Sequence, residues 1–265
     1  MGNMEEQPTK IKQEDFLITL QRGIQVIHCF KDRPHLTISE TSKITKLSRP
    51  VCRRILLTLE ELGYVNSEER KFSLTPKILS LAHSYFSSGM IWDLSMPHLE
   101  ELSEILNESC AMAVLDGTDI VYVAHVSIKR ILNDNVGVGT RLPAHLTSAG
   151  KVLLSYQSNQ GLEYYFKHAK LEAITNKTIV SESEIRKELK QINKNGYAIS
   201  QEQLQMGLIS IAAPIRDITG KVVAAVNCPT TTTRNSKKDL YEKFLPVLLN
   251  ITKKINDEID FRIFQ

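Results

Sequence analysis

The chain is poor in the features that would settle its class at once. Its four cysteines, Cys29, Cys52, Cys110 and Cys228, lie far apart and form no CxxC pair. Neither a zinc ribbon nor a disulfide framework is indicated, and reduced, buried thiols are expected. No apolar run approaches the roughly 18–20 residues of a membrane span. The start, 1–10, is polar and acidic, unlike a secretory signal. Gly2 is followed by Glu6 where N-myristoylation requires Ser or Thr. The expectation is a cytoplasmic protein with no membrane, metal or cofactor. Net charge is small as well, at +3 over 265 residues with 33 basic and 30 acidic side chains. At 42% hydrophobic and 24% charged, the composition is that of a globular protein of one large or two ordinary domains.

The small net charge is unevenly placed. Residues 1–77 hold 13 basic and 10 acidic side chains, which leaves 20 of each in the remaining 188. Within that first third, 41–59 carries Lys43, Lys46, Arg49, Arg53 and Arg54 and no acid. A local basic segment on a balanced protein points to a polyanionic partner.

The same third has a helix-turn-helix pattern. Leu17, Leu20, Ile24 and Ile27 recur on one face of a helix over 16–30. After Pro34, a short helix over 37–45 has Ile38, Thr41 and Ile44 on its inner side. A tight break over 46–48 follows. Ser48 is a natural N-cap and Pro50 fits a first helical turn. The third helix then runs to Leu62, with Val51, Cys52, Ile55, Leu59 and Leu62 on one arc and Arg49, Pro50, Arg53 and Arg54 opposite. Its arginines sit in the first turns and Glu60 and Glu61 in the last, the polarity of a recognition helix entering the major groove by its N-terminal end. Gly63 ends the helix. Tyr64-Val65 and Phe72–Leu74 alternate like strands around a charged loop over 66–71, tipped by Arg70 and Lys71. Three helices and such a hairpin make a winged helix-turn-helix.

Thr75 and Pro76 begin a linker helix rich in apolar residues, Ile78, Leu79, Leu81, Ala82, Tyr85 and Phe86. One face is expected to pack on its own domain and the other on a second copy of the chain. A further helix reads over 92–107. Strands then come as hairpins, 111–115 with 120–126 and 209–215 with 222–227, and helices read at 148–156, 185–195 and 236–259. The last carries Leu240, Phe244, Val247, Ile251, Ile255 and Ile259 on one face. That mixture indicates an α+β sheet domain.

The conspicuous stretch is 137–151, GVGTRLPAHLTSAGK. Ser148, Ala149 and Gly150 open a helix whose free N–H groups and positive dipole end suit a carboxylate or phosphate. It is neither a Walker A loop nor a GxGxxG fingerprint. His145 and Ser148 invite a hydrolase reading, but the serine has no GxSxG elbow and no acid completes a triad. His98-Leu-Glu100 starts like a deaminase zinc motif that no Pro-Cys-x-x-Cys completes. Arg130 and Arg141 are the candidate cations for a carboxylate near this stretch. Arg130 is the favoured partner of a carboxylate, with His145 as a further donor.

Taken together, the segments 20–30, 36–65, 72–88, 141–155, 207–228 and 244–252, the fourth reading RLPAHLTSAGKVLLS, resemble the IclR family of bacterial transcriptional regulators over nearly the whole chain. They look most like the subgroup controlling protocatechuate and hydroxybenzoate breakdown. The resemblance implies a flexible start over 1–15, a winged helix-turn-helix over 16–75 and a linker helix over 76–91. It implies a GAF-like effector-binding and oligomerisation domain over 92–265. It further implies a homodimer or homotetramer on double-stranded operator DNA, at the nucleoid of a bacterial cytoplasm. Regulation would answer to a small aromatic carboxylate, most often by activation and with RNA polymerase as a possible partner. The implied DNA-binding residues are Thr37, Lys46, Ser48, Arg49, Pro50, Arg53, Arg54, Arg70 and Lys71. With Arg130 and His145 added from the carboxylate argument above, the expected effector-binding residues are Arg130, Ile131, His145, Ser148, Ala149, Met206, Leu208, Ser210 and Asn227. The family's acidic stretch before Gly207-Leu208 reads Gln201-Glu202-Gln203-Leu204 here, and its usual arginine is Ile209, so charge is missing near the implied pocket. An enzyme joined to a DNA-binding module and a ligand-blind DNA-binding dimer are the competing readings.

Overall fold

The computed structural model describes residues 12–31, 33–86, 91–128 and 136–262. The chain falls into two compact units that divide after Gly89. The expected flexible start over 1–15 lies mostly outside the described residues; its last part, Gln13–Asp15, is a single 3-10 turn.

In the first unit, α1 (Ile18–His28), α2 (Ile38–Thr45) and α3 (Arg49–Glu61) are followed by the hairpin β1 (Val65–Glu68) and β2 (Lys71–Leu74). Leu36, ahead of α2, bridges to Phe72 through two backbone hydrogen bonds of 2.9 and 2.8 Å, so the wing gains a third short rung. The core is Val26, Phe30, Leu36, Ile55, Leu56, Leu59, Val65 and Phe72.

Several expected inner positions face outward. Leu17 and Leu20 are 69% and 61% exposed and Ile24 is also exposed, while Val26, Cys29 and Phe30 take the core side of α1. Ile44 is exposed and Thr45 buried, its hydroxyl donating to the Thr41 carbonyl at 2.7 Å. Leu62 is exposed, and Leu56 fills the core instead. The linker helix α4 (Leu79–Phe86) keeps Leu79, Leu81, Ala82 and Tyr85 exposed, so the face expected to pack on its own domain does not.

The second unit is built on a six-stranded antiparallel sheet in the order β5-β4-β3-β8-β7-β6. Its strands are β3 (Cys110–Asp116), β4 (Asp119–Val126), β5 (Arg141–Pro143), β6 (Ala198–Gln201), β7 (Leu208–Arg216) and β8 (Val222–Thr231). The helices are α5 (Ile91–Leu106), α6 (Ser148–Ser155), α7 (Asn159–His168), α8 (Glu182–Asn195), α9 (Lys237–Asp239) and α10 (Leu245–Arg262). Alternation along the strands turns Ala111, Ala113, Ala212 and Ala225 toward a layer made by α6, α7 and α8. Short side chains at those positions let α6 lie close on the sheet. α5 and α10 pack on each other and on β3, β4 and β7.

The end of the chain is not one regular helix. Ser236 caps α9 in a capping box with Asp239, and Leu240–Phe244 form a π-helical stretch before α10. That stretch shifts the apolar stripe, so Leu248 rather than Val247 is fully buried beside Ile251 and Ile255.

Candidate nucleic-acid interface and ligand pocket

The turn between α2 and α3 is held by side-chain bonds rather than by glycine. Lys46 takes a left-handed φ of 59°. The Ser42 hydroxyl donates to the Leu47 carbonyl at 2.6 Å, and Gln25 Nε2 donates to the Thr45 carbonyl at 3.1 Å. Thr37 starts α2 in a full capping box: Glu40 N–H donates to Thr37 Oγ1, and Thr37 N–H to Glu40 Oε2 at 2.8 Å. Ser48 stands at the N-cap of α3 with extended backbone but makes no side-chain cap bond. Its hydroxyl and the first N–H groups of α3 therefore face solvent unclaimed. Pro50 occupies the first turn as expected.

Beyond that cap, Arg49, Arg53 and Arg54 are exposed and, among the described residues, have no carboxylate partner. The wing is longer than its sequence suggested. β1 and β2 pair from Val65↔Leu74 to Glu68↔Lys71, which leaves only Glu69 and Arg70 in the turn, both at positive φ of 48° and 66°. Two positive φ values in a two-residue loop match the twist of a hairpin. Arg70 is thus the tip of the wing, and Lys71 the first residue of its return strand; both are exposed.

In the second unit, the stretch 141–155 folds as β5, a 3-10 turn over Ala144–Leu146, and α6. Thr147 caps α6, its Oγ1 accepting from Gly150 N–H at 3.0 Å. The N–H groups of Ser148 and Ala149 have no partner among the described residues. Gly150 is required by proximity: a Cβ there would stand 2.1 Å from the Ala144 carbonyl oxygen. Lys151 is fully buried and reaches both oxygens of Glu188 on α8 at 2.8 Å. Burial pulls its ammonium below the ordinary lysine range, and Glu188 partly restores it.

A small, partly open cavity lies beside the α6 cap, between β6, β7 and β8. It is lined by Tyr122, Leu146, Thr147, Ser200, Glu202, Gln203, Leu204, Leu208, Ser210, Asn227 and Pro229, with room of about 30 Å³. Ser210 Oγ donates to Ser148 Oγ at 2.9 Å, which links the cavity to the start of α6. Ser200 Oγ donates to the Leu146 carbonyl at 2.8 Å. Asn227 Nδ2 donates to the Tyr122 hydroxyl at 3.5 Å, and burial pushes that phenol's pKa up.

Of the expected effector residues, Leu208, Ser210 and Asn227 line this cavity, and Ser148 touches it through Ser210. Ala149 is buried at the same helix start. Two others, His145 and Met206, lie elsewhere, as does the alternative cation Arg141. His145 is buried beside Tyr165, whose hydroxyl stands 3.1 Å from both the His145 backbone N and Nδ1, and it is not part of the cavity wall. Burial, helped by the Lys151 charge and opposed by Asp119, pushes the His145 pKa down to about 4, so the ring is neutral. Met206 is 52% exposed. Arg141, the alternative cation, lies at the sheet edge and is spent on Asp116 and Asp119. Arg130 and Ile131 lie outside the described residues. Tyr122, Thr147, Ser200 and Gln203 went unforeseen. Thr147, one residue before the singled-out Ser148, had a legible signal as the helix cap. Among the described residues, no group of three or more His, Cys, Asp or Glu is arranged to hold a metal, and no helix is long and apolar enough to cross a membrane.

A basic recognition helix with a wing, followed by a sheet domain with a buried polar pocket, defines a DNA-binding transcriptional regulator with a separate sensing domain. Comparison with known proteins specifies the kind. Residues 19–69 match the IclR helix-turn-helix domain, and residues 83–257 match the bacterial transcriptional regulator IclR C-terminal domain. The Pca regulon regulatory protein of Pseudomonas putida is 38% identical over 243 residues, 91% of this chain and 84% of that protein. The p-hydroxybenzoate hydroxylase transcriptional activator of Acinetobacter baylyi is 32% identical over 256 residues, 94% of each. Among solved structures, a transcriptional regulator from Rhodococcus sp. RHA1 superposes with a TM-score of 0.83 at 39% identity, covering 93% of this chain and all of that one. The chain belongs to the IclR family of bacterial transcriptional regulators.

Proposed function

We propose that the protein binds operator DNA through the first unit and answers to a small aromatic carboxylate, of the protocatechuate or hydroxybenzoate kind, held in the second. Its place is the bacterial cytoplasm, at the nucleoid, as a homodimer or homotetramer that activates a catabolic operon, with RNA polymerase as its downstream partner. The division of labour is 16–75 for DNA, 76–91 as linker and 92–265 for effector and assembly. In the DNA half, Arg49, Arg53 and Arg54 meet bases and phosphates, with Thr37, Lys46, Ser48 and Pro50 positioning the helix start and Arg70 and Lys71 reaching from the wing. In the effector half, the roles fall to Ser148, Ala149, Leu208, Ser210 and Asn227.

The observation that carries this reading is the open donor set at the α6 start beside a buried polar cavity: two backbone N–H groups and the Ser148 hydroxyl, with no carboxylate spent on them. A carboxylate accepts without donating, so such a set recognises it in neutral surroundings. The names of the relatives from Pseudomonas and Acinetobacter agree with an aromatic acid. The cavity has room for a water-sized group, so a ring enters by displacing part of the wall.

The test is a thermal unfolding screen of the full chain with benzoate, 4-hydroxybenzoate, 3,4-dihydroxybenzoate and short aliphatic acids. A ligand present at one hundred times its dissociation constant adds about 2.7 kcal/mol of stability. The same ligand must change affinity for DNA enriched from a random pool, since one that binds both states equally shifts nothing. The reading fails if no carboxylate stabilises the protein, or if the selected DNA lacks paired half-sites roughly 34 Å apart or a multiple.

A further inference from the structure

The lining of the cavity also carries groups of the opposite hydrogen-bonding character. Gln203 Oε1 and Asn227 Oδ1 are buried without a partner, on side chains only 7% and 3% exposed, and both residues line the cavity. Orphaned buried acceptors are rare because each forfeits its bond to water, and they call for a reason. A carboxylate brings no proton, so it cannot satisfy them. The single acid of the wall, Glu202, already accepts from Gly207 N–H at 3.0 Å through Oε1. The cavity wall therefore offers neutral acceptors, while the donors stand at the neighbouring start of α6.

Gln203 is also held in position. Its carbonyl accepts from Thr178 Oγ1 at 2.8 Å, and the carbonyl of Glu202 accepts from Thr175 Oγ1 at 2.6 Å. Glu202 N–H donates to the Leu208 carbonyl at 2.7 Å, and Glu202 itself sits at a φ of 56°. The segment between α7 and α8 thus fastens the turn that carries Gln203 by two hydroxyls rather than by a strand ladder.

We infer that Gln203, with Asn227 on the same cavity wall, accepts the proton of a hydroxyl of the effector. This makes Gln203 the residue that separates hydroxy-substituted aromatic acids from plain ones, and the Thr175 and Thr178 hydroxyls position it. The inference rests on the effector reading above. A site built to bond a hydroxyl rejects the analogue that lacks it, because the acceptors then stay buried and unpaired. Each unmet acceptor is worth roughly ten- to a hundredfold in affinity.

The experiment is calorimetry on the full chain with benzoate, 3-hydroxybenzoate, 4-hydroxybenzoate and 3,4-dihydroxybenzoate, for the wild type, Gln203→Met and Gln203→Glu. The wild type is expected to prefer at least one hydroxylated acid over benzoate by ten- to a hundredfold or more. Gln203→Met, nearly the same shape without the acceptor, should bring that ratio down at least tenfold while benzoate affinity holds. A purely structural role would weaken all four acids alike and leave the ratio unchanged. Gln203→Glu keeps an acceptor, so the ratio survives while all four acids bind more weakly through charge repulsion; this arm stands even if the methionine variant unfolds. A wild type that binds benzoate and the hydroxylated acids equally overturns the inference, as does a Gln203→Met that keeps the preference. A wild type that binds none of the four overturns the effector reading itself.

Discussion

The two units use their cations in opposite ways. In the first, Arg49, Arg53, Arg54, Arg70 and Lys71 all stand in solvent with no acid partner among the described residues. In the second, the cations next to acids are taken. Lys151 is on Glu188 at 2.8 Å, Arg186 on Glu163 and Glu182 at 2.8 and 2.7 Å, Arg234 on Glu108 at 2.8 Å and Lys254 on Glu101 at 2.6 Å. Function follows the pairing more closely than the count. A solvated arginine contributes little to folding and keeps its full charge for a polyanion. A buried lysine must be paired before the fold can form. The +3 net charge is the residue of these two uses, and it is small because one of them cancels.

The comparison can be broken where the difference is greatest. Glu188→Gln should leave Lys151 charged, buried and unpaired, costing about 3–5 kcal/mol in urea unfolding. Replacing both partners, Lys151→Met with Glu188→Leu, should recover most of that loss. A single-variant loss under about 1 kcal/mol would show that the pair is not structural.

Next in size is an acid effect confined to the second unit. His145 has a folded pKa of about 4 against its ordinary 6.5. As the pH falls below 6.5 the unfolded chain takes up a proton that the folded chain refuses. Stability is therefore lost on acidification between pH 6.5 and 4, by about 3 kcal/mol in all. His145→Gln should flatten that part of the profile, and a variant profile as steep as the wild type's would sink the assignment.

In the first unit the effects should be on binding and leave stability alone. Arg53→Ala should weaken the selected DNA by about 1–3 kcal/mol and random DNA by less, if the guanidinium pairs with a base edge. Equal losses on both would move Arg53 to the phosphates. Arg70→Ala at the wing tip should give the smallest change: a near-uniform loss over all sequences, with the salt dependence of binding reduced by about one ion. Neither variant should shift the thermal midpoint appreciably, and a large shift in either would erase the contrast between the units.

Local signals were legible in the sequence, and the meeting of distant segments was not. The start of α3, the arginine face and the Gly63 stop depend on neighbours within a turn or two, and they stand where the periodicity put them. The stripe Leu17, Leu20 and Ile24 is real, but period alone does not say which side of a helix meets the core, and here it faces outward. β5 and β6 are three and four residues long, too short for alternation to register. The cavity joins Tyr122 on β4, Ser200 on β6, Ser210 on β7 and Asn227 on β8 through antiparallel register. Of these, Ser210 and Asn227 came from the family resemblance, which also set Gln203 near the pocket without giving it a role, while Tyr122 and Ser200 became visible only once the strands were paired.

The close approach at Gly150 bears on how this sensor could change its taste. The Ala144 carbonyl occupies the space a side chain would need there, so the α6 start beside the pocket admits one residue and evolution has no small step to take from it. The roof is different. Gln203 and Leu204 belong to a turn outside the regular ladder, held by two threonine hydroxyls, where a substitution need not disturb the sheet. A library meant to retune the response should hold positions 147–151 constant and randomise 203 and 204. Natural relatives with different effectors should show the same division, with variety in the roof and uniformity at the α6 start.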